Sequence, residues 1–220
     1  VYKRQGIGAG WNKADYDNAG IEQKDAMTRI ERLGEAVDIF RGLWGADKFG
    51  YQGKHYSIAE HDAQPKPAKP IEVLIGGGGQ KILTLAANKA DVVGVNPKIV
   101  GRSINPKSMA TAAFEAVDEK VGWIHDAAKA AGRADQIELQ LQFFATVVTD
   151  DKMGVCEKFA PAFGLPVEVV AAAPFFAIGS LAHIKENIEM MRERWGISYF
   201  VCQNDGTKQL ASIVADLNGK

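Results

Sequence analysis

Only two cysteines, Cys156 and Cys202, stand among the 220 residues, far apart and outside any CxxC or histidine-rich setting. Neither a disulfide framework nor a zinc site is implied, and no metal is expected. No block of lysine and arginine occurs, and the formal net charge is -1. The chain therefore shows no electrostatic footprint for nucleic acid. No apolar run approaches the ~20 residues of a membrane span, and no charged leader followed by an apolar stretch opens the chain. A reducing cytoplasm is the expected compartment, with neither nucleic acid nor membrane as partner. Walker A and GxGxxG patterns are also missing, since Lys81 stands where a third glycine would be.

What is present suits one globular domain: 46% hydrophobic and 24% charged residues, enough for a substantial core. Its most informative stretch is IEVLIGGGGQKILTLAANKA, from Ile71 to Ala90. An apolar strand empties through Gly76, Gly77, Gly78 and Gly79 into a helix opened by Gln80. Bare N–H groups and the helix dipole converge at such a junction and favour an anion such as a phosphate. A tight strand-to-helix turn would use the same glycines, and local pattern alone leaves both readings open.

Gly6 to Gly10 (GIGAG), followed by Trp11 and Asn12, reads as a strand exit where missing Cβ atoms admit a flat ligand or another backbone. From Asp25 to Trp44 apolar residues recur at three- and four-residue steps, as in an amphipathic helix. The segment 49–70 lacks a period and carries Pro65, Pro67 and Pro70, so a long functional loop is expected there, with His55 and His61 as surface histidines. Asp91 to Asn96 is a short apolar strand, and Ala112 to Gly132 a helix. Ile137 to Thr149 (IELQLQFFATVVT) reads as one strand, alternating and then continuously apolar. Asp150 and Asp151 cap short helices that run up to Phe176. A helix from Leu181 to Trp195, a strand from Ile197 to Cys202 and a helix from Gln209 to Leu217 close the chain.

Alternation of strand and helix specifies a parallel sheet covered by helices, and every glycine-rich candidate follows a strand's C-terminal end. Alternation does not choose between a doubly wound sheet and a barrel. GIGAGWNKADYDNAGI, RIERLGEAVDIFRGLW, YQGKHYSIAEHDAQPKPAKP and IEVLIGGGGQKILTLAANKADVVGVN occur in one order and at one spacing. Together they resemble the luciferase-like monooxygenase superfamily, and more closely its coenzyme F420-dependent oxidoreductases. DEKVGWIHDAA and RERWGISYFV resemble one subgroup of that branch.

The resemblance implies an α/β TIM (β/α)8 barrel, of which about five of eight strand-helix units are visible. GIGAG then corresponds to the fourth barrel strand, and 1–220 to the C-terminal two-thirds of one barrel domain. An open five-strand arc with edges at GIGAG and ISYFVC is expected. The opening VYKRQ resembles translated sequencing adapter. The resemblance also implies F420, or FMN as the alternative, at the barrel mouth. Gly76, Gly77, Gly78, Gly79 and Gln80 would serve the cofactor phosphate, Gly8, Ala9, Gly10 and Trp11 the ring and its chain, and Asn96 would be a further contact. Hydride exchange with a small organic substrate, with the full-length protein a homodimer, is the activity implied. A non-catalytic flavin-binding relative is the other class. No catalytic residue is named, because the family's acid and base candidates sit largely on the first strands.

Overall fold

The computed structural model describes residues 4–101, 105–203 and 205–219. In chain order the first half comprises β1 (Arg4–Ile7), α1 (Lys13–Ala19), α2 (Ala26–Trp44), β2 (Phe49–Gln52), β3 (Ser57–His61), β4 (Glu72–Gly77), α3 (Gln80–Lys89) and β5 (Val92–Val95). The second half comprises α4 (Pro106–Met109), α5 (Phe114–Ala130), β6 (Glu138–Gln142), β7 (Ala145–Val148), α6 (Lys152–Phe163), α7 (Val167–Ala172), β8 (Phe176–Gly179), α8 (Leu181–Trp195), β9 (Ile197–Val201), α9 (Gly206–Gln209) and α10 (Ala211–Leu217).

The five strands expected from alternation form one parallel sheet in the order β1-β4-β5-β6-β9. Its edge strands are GIGAG's own β1 and ISYFV's β9, and among the described residues neither has a further strand on its outer side. The α/β barrel architecture thus holds as a parallel, helix-covered arc. Val1 to Lys3 lie outside the described residues, whereas Arg4 and Gln5 of the opening pentapeptide pair with Glu72 and Val73.

Arg4 shows how strongly the sheet curls. It donates from Nε to Glu72 on β4 at 2.7 Å and from Nη2 to Glu138 on β6 at 2.6 Å, and its guanidinium lies 4.5 Å from the Tyr199 ring centre on β9. At about 4.8 Å per strand, a flat sheet would set β9 about 19 Å from β1. A single arginine spans that separation only across the concave face of a rolled sheet.

Strand alternation sorts side chains between two faces. Val73, Ile75, Val93, Val95, Leu139, Leu141 and Ile197 are buried on the convex face, under a helical layer that includes α3, α5 and α8. Leu83, Ala86 and Ala87 of α3 and Val117, Val121 and Ile124 of α5 complete that core. Glu72, Glu138, Gln140 and Gln142 belong to the concave face.

Three expectations change. The segment 49–70 is not all loop: β2 and β3 form an antiparallel hairpin beside the main sheet, with an irregular register between Phe49 and Tyr51 that hides the period of two. The Glu35 carboxylate accepts the N–H groups of Lys54, His55 and Tyr56 and so fixes its turn. Second, 137–149 is two strands in two sheets. Phe143 N–H donates to Val201 O at 2.8 Å on the main-sheet side, and the next N–H, Phe144, donates to Phe175 O at 2.8 Å. Beyond that switch β7 pairs with β8, a strand absent from the sequence reading because its four residues follow directly on helical segments. Third, Asp151 caps α6 through the Gly154 N–H at 2.9 Å, whereas Asp150 is not its cap.

Candidate functional site

Where β1, β4, β5 and β6 end, a cleft of about 700 Å³ opens. Its wall brings together all ten residues singled out from the sequence: Gly8, Ala9, Gly10 and Trp11 after β1, Gly76 to Gly79 and Gln80 at the β4–α3 junction, and Asn96 after β5. They converge because parallel strands deliver their C-terminal ends to one side.

The β4–α3 junction is built from bare backbone. Gly79 is the N-cap of α3, and among the described residues no side chain caps that helix. Those donors stand at the cleft with the positive end of a ten-residue helix behind them, a combination that attracts an anion. Close packing also demands glycine here. A Cβ on Gly78 would stand 2.5 Å from the Asn96 carbonyl oxygen, which is backbone and cannot swing aside. One on Gly76 would come within 3.0 Å of Asn96 Nδ2. The Gly77 carbonyl accepts the Asn96 N–H at 2.9 Å, tying the turn to the end of β5.

The turn after β1 is held from α2 and the residues just before it. Arg29 donates from Nε to Ala9 O at 3.1 Å and from Nη1 to Lys24 O, while Gln23 Nε2 donates to Trp11 O at 3.1 Å. Gly10 has φ 66°, the left-handed region, and faces the Tyr16 hydroxyl. Trp11 is left 43% exposed at the lip, a large apolar surface with room for a flat group beside it.

Sequence reading missed Arg29, Lys81, Lys98, Gln142 and Phe144, which also line the cleft. Lys98 reaches over the glycine turn, its Cε 4.0 Å from the Cβ position of Gly79, so cationic charge stands beside the anion-seeking donors. Gln142 shares the concave face with Gln140, whose Oε1 lies 2.8 Å from the Cβ position of Gly94 and fills the space that glycine leaves. The alternation of ELQLQ carried this signal, since its glutamines sit two apart at the end of a strand.

The segment after β5 closes one side of the cleft with Lys98, Ile99, Ser108 and Met109. Thr111 Oγ1 accepts the Lys98 N–H at 2.7 Å and donates to Ser108 O at 2.7 Å, and Ser108 Oγ accepts the Val100 N–H at 2.9 Å. Lys120 of α5, only 2% exposed, donates its Nζ to Thr111 O. Burial pushes its ammonium pKa down from 10.5 to about 8.

Comparison with known proteins bears on the family and the fold. Residues 4–163, well over half of the chain, match the family described as luciferase-like monooxygenase. Pyrimidine monooxygenase RutA of Enterobacter sp. (strain 638) is 31% identical over 84 residues, a stretch covering 37% of this chain and 23% of that protein. The likeness therefore spans less than a quarter of the relative's length. Among solved structures, an F420-dependent secondary alcohol dehydrogenase in complex with an F420-acetone adduct superposes with TM-score 0.71 at 14% identity, over 97% of this chain and 69% of that one. Riboflavin lyase (RcaE) with modified FMN superposes with TM-score 0.67 at 12% identity, over 94% and 61%. At such identities the superpositions speak for the fold.

Proposed function

Because the chain belongs to the luciferase-like monooxygenase family, we propose that its cleft holds a flavin-shaped redox cofactor, coenzyme F420, and serves an oxidoreductase acting on a small organic substrate. The observation that carries this reading is the convergence of an uncapped helix N-terminus, a glycine turn that excludes side chains and an exposed tryptophan on one cleft. These residues fit the cofactor: an anion acceptor at one end, flat apolar surface at the other.

When bound, the deazaflavin would supply hydride exchange with a substrate carbon. The chain's own residues bind and orient. First-turn N–H groups of α3, with Lys98 and Lys81 beside them, would hold the phosphate. Gly8 to Trp11, fixed by Arg29, would give the ring a flat wall. Phe144 and Met109 would keep water from the reacting face, and Gln142 would present an amide to it. No proton donor or acceptor for the reaction is assigned.

We infer further that 1–220 makes up the C-terminal two-thirds of one barrel domain, consistent with the 69% of the alcohol dehydrogenase that it covers. Strands completing the barrel would then lie outside this chain, and the whole protein would be a cytoplasmic homodimer. Turnover by the isolated chain would contradict that division.

FMN is the second reading, favoured by the shared fold of the riboflavin lyase with modified FMN. Titrating the protein with F420 and with FMN, following cofactor fluorescence, separates the two. Saturable F420 binding, weakened about tenfold or more when the turn is blocked by Gly78→Ala, is the expected result. Binding of FMN without F420 would leave a flavin monooxygenase, and binding of neither would sink the cofactor reading.

A further inference from the structure

A second cavity, about 240 Å³, lies across the β6–β7 switch from the cleft. Phe143 and Phe144 are consecutive residues there, and they separate the two spaces: Phe143 lines the cavity and Phe144 the cleft. Phe114, Phe176, Ile184 and Met191 give the cavity apolar walls. Lys152, His183 and Asn187 form its polar end.

That polar end holds more donors than acceptors. Lys152 Nζ lies 2.9 Å and Asn187 Nδ2 3.1 Å from the same atom, His183 Nε2. A neutral imidazole nitrogen offers one lone pair, whereas the ammonium brings three N–H groups and the amide two. Turning the amide over lets His183 Nε2–H donate to the asparagine oxygen, but then the ammonium has no acceptor at Nε2, the ring atom it lies against. In either arrangement a half-buried cation faces the cavity with hydrogen to give. Among the described residues no carboxylate lies within 4.0 Å of Lys152 Nζ, and the neighbouring Asp151 carboxylate is occupied by the Gly154 N–H at 2.9 Å.

We propose that this cavity is a binding site for a small carboxylate carrying an apolar or aromatic tail. The carboxylate supplies the acceptors that Lys152 and Asn187 lack, and the tail fills the space between Phe143, Phe114 and Met191. At roughly 30 Å³ for each water-sized group, the volume admits on the order of eight such groups. That suits a benzoate or a short fatty acid and excludes a nucleotide. The site stands independently of the cofactor reading, because none of its residues lines the cleft.

Calorimetric titration of the protein with benzoate, and with benzamide as the uncharged isostere, tests this. Benzoate is expected to saturate and to bind about tenfold or more tightly than benzamide, since only the carboxylate makes the charge-assisted bonds. Lys152→Met should remove that preference, and Ala171→Leu, which narrows the cavity without touching its charge, should weaken both ligands. If Lys152→Met fails to fold, Ala171→Leu and the benzamide comparison still decide. Saturating FMN or F420 should leave benzoate affinity unchanged. Equal affinity for benzoate and benzamide, an unaltered preference in Lys152→Met, or displacement of benzoate by either cofactor would overturn the assignment.

Discussion

The two faces of the five-stranded sheet obey opposite rules. On the convex face Val73, Ile75, Val93, Val95, Leu141 and Ile197 are sealed under helices. On the concave face the same strands carry Arg4, Glu72, Glu138, Gln140 and Gln142, and glycine where the cleft begins. One face holds the arc together and the other leaves room for a ligand. In a half-solvated sheet the polar side of an alternating strand faces water; here it faces the hollow of the arc.

The sharpest way to break this contrast is to truncate adjacent residues of β4. Ile75 is fully buried on the convex face, and Ile75→Ala should cost ~3 kcal/mol of unfolding free energy in urea titration. Leu74, its half-buried neighbour on the concave face, should cost ~1 kcal/mol or less when cut to alanine. Equal losses would mean that the concave face is core as well.

A smaller effect is expected from the glycine turn, where the two faces meet. A Cβ at Gly78 collides with the backbone of Asn96 and Pro97, so Gly78→Ala must displace the turn and should cost ~1–2 kcal/mol along with the cofactor affinity. At Gly79 the nearest atom is Lys98 Cε at 4.0 Å, and φ is -108°, open to any residue. Gly79→Ala should therefore stay within ~1 kcal/mol by thermal melting. Similar behaviour of the two would show that helix capping, not close packing, sets the need for glycine.

Much of this was legible because local signals agreed with the tertiary result. The 3.6-residue period of 25–44 gave α2, which in the fold is capped by Asp25, and Gly196, at φ 69°, ends α8 where expected. The glycine turn was placed because a strand, bare residues and a helix stand in immediate succession. What escaped depended on partners distant in sequence. Nothing local in FFATVV marks the peptide where Phe143 answers to β9 and Phe144 to β8. Arg29 and Lys98 join the site only when α2 and the segment after β5 fold over the cleft. Arg4 is meaningful only once β1 and β9 face each other across the arc.

Lys120 offers the finest test, because it places a charge in the helical layer that otherwise excludes one. Among the described residues the buried polar side chains are Ser108, Lys120 and Gln140, and Lys120 alone of them is ionisable. Burial lowers its pKa to about 8 against 10.5 for the ordinary side chain, with nearby Glu119 acting in the opposite sense. Between those values the unfolded chain binds more protons than the folded one, so stability must rise with pH across that window. Below pH 8 both states are charged and the whole burial cost is felt; above 10.5 both are neutral and it vanishes. Lys120→Met removes the titration together with the hydrogen bond to Thr111 O, and every other titrating group stays in both proteins. Melting temperatures taken in pairs from pH 7.5 to 10.5 should show the lysine protein gaining on the methionine variant as pH rises. A constant difference would mean that water reaches the ammonium, and that the convex side of the sheet is less dry than its packing implies.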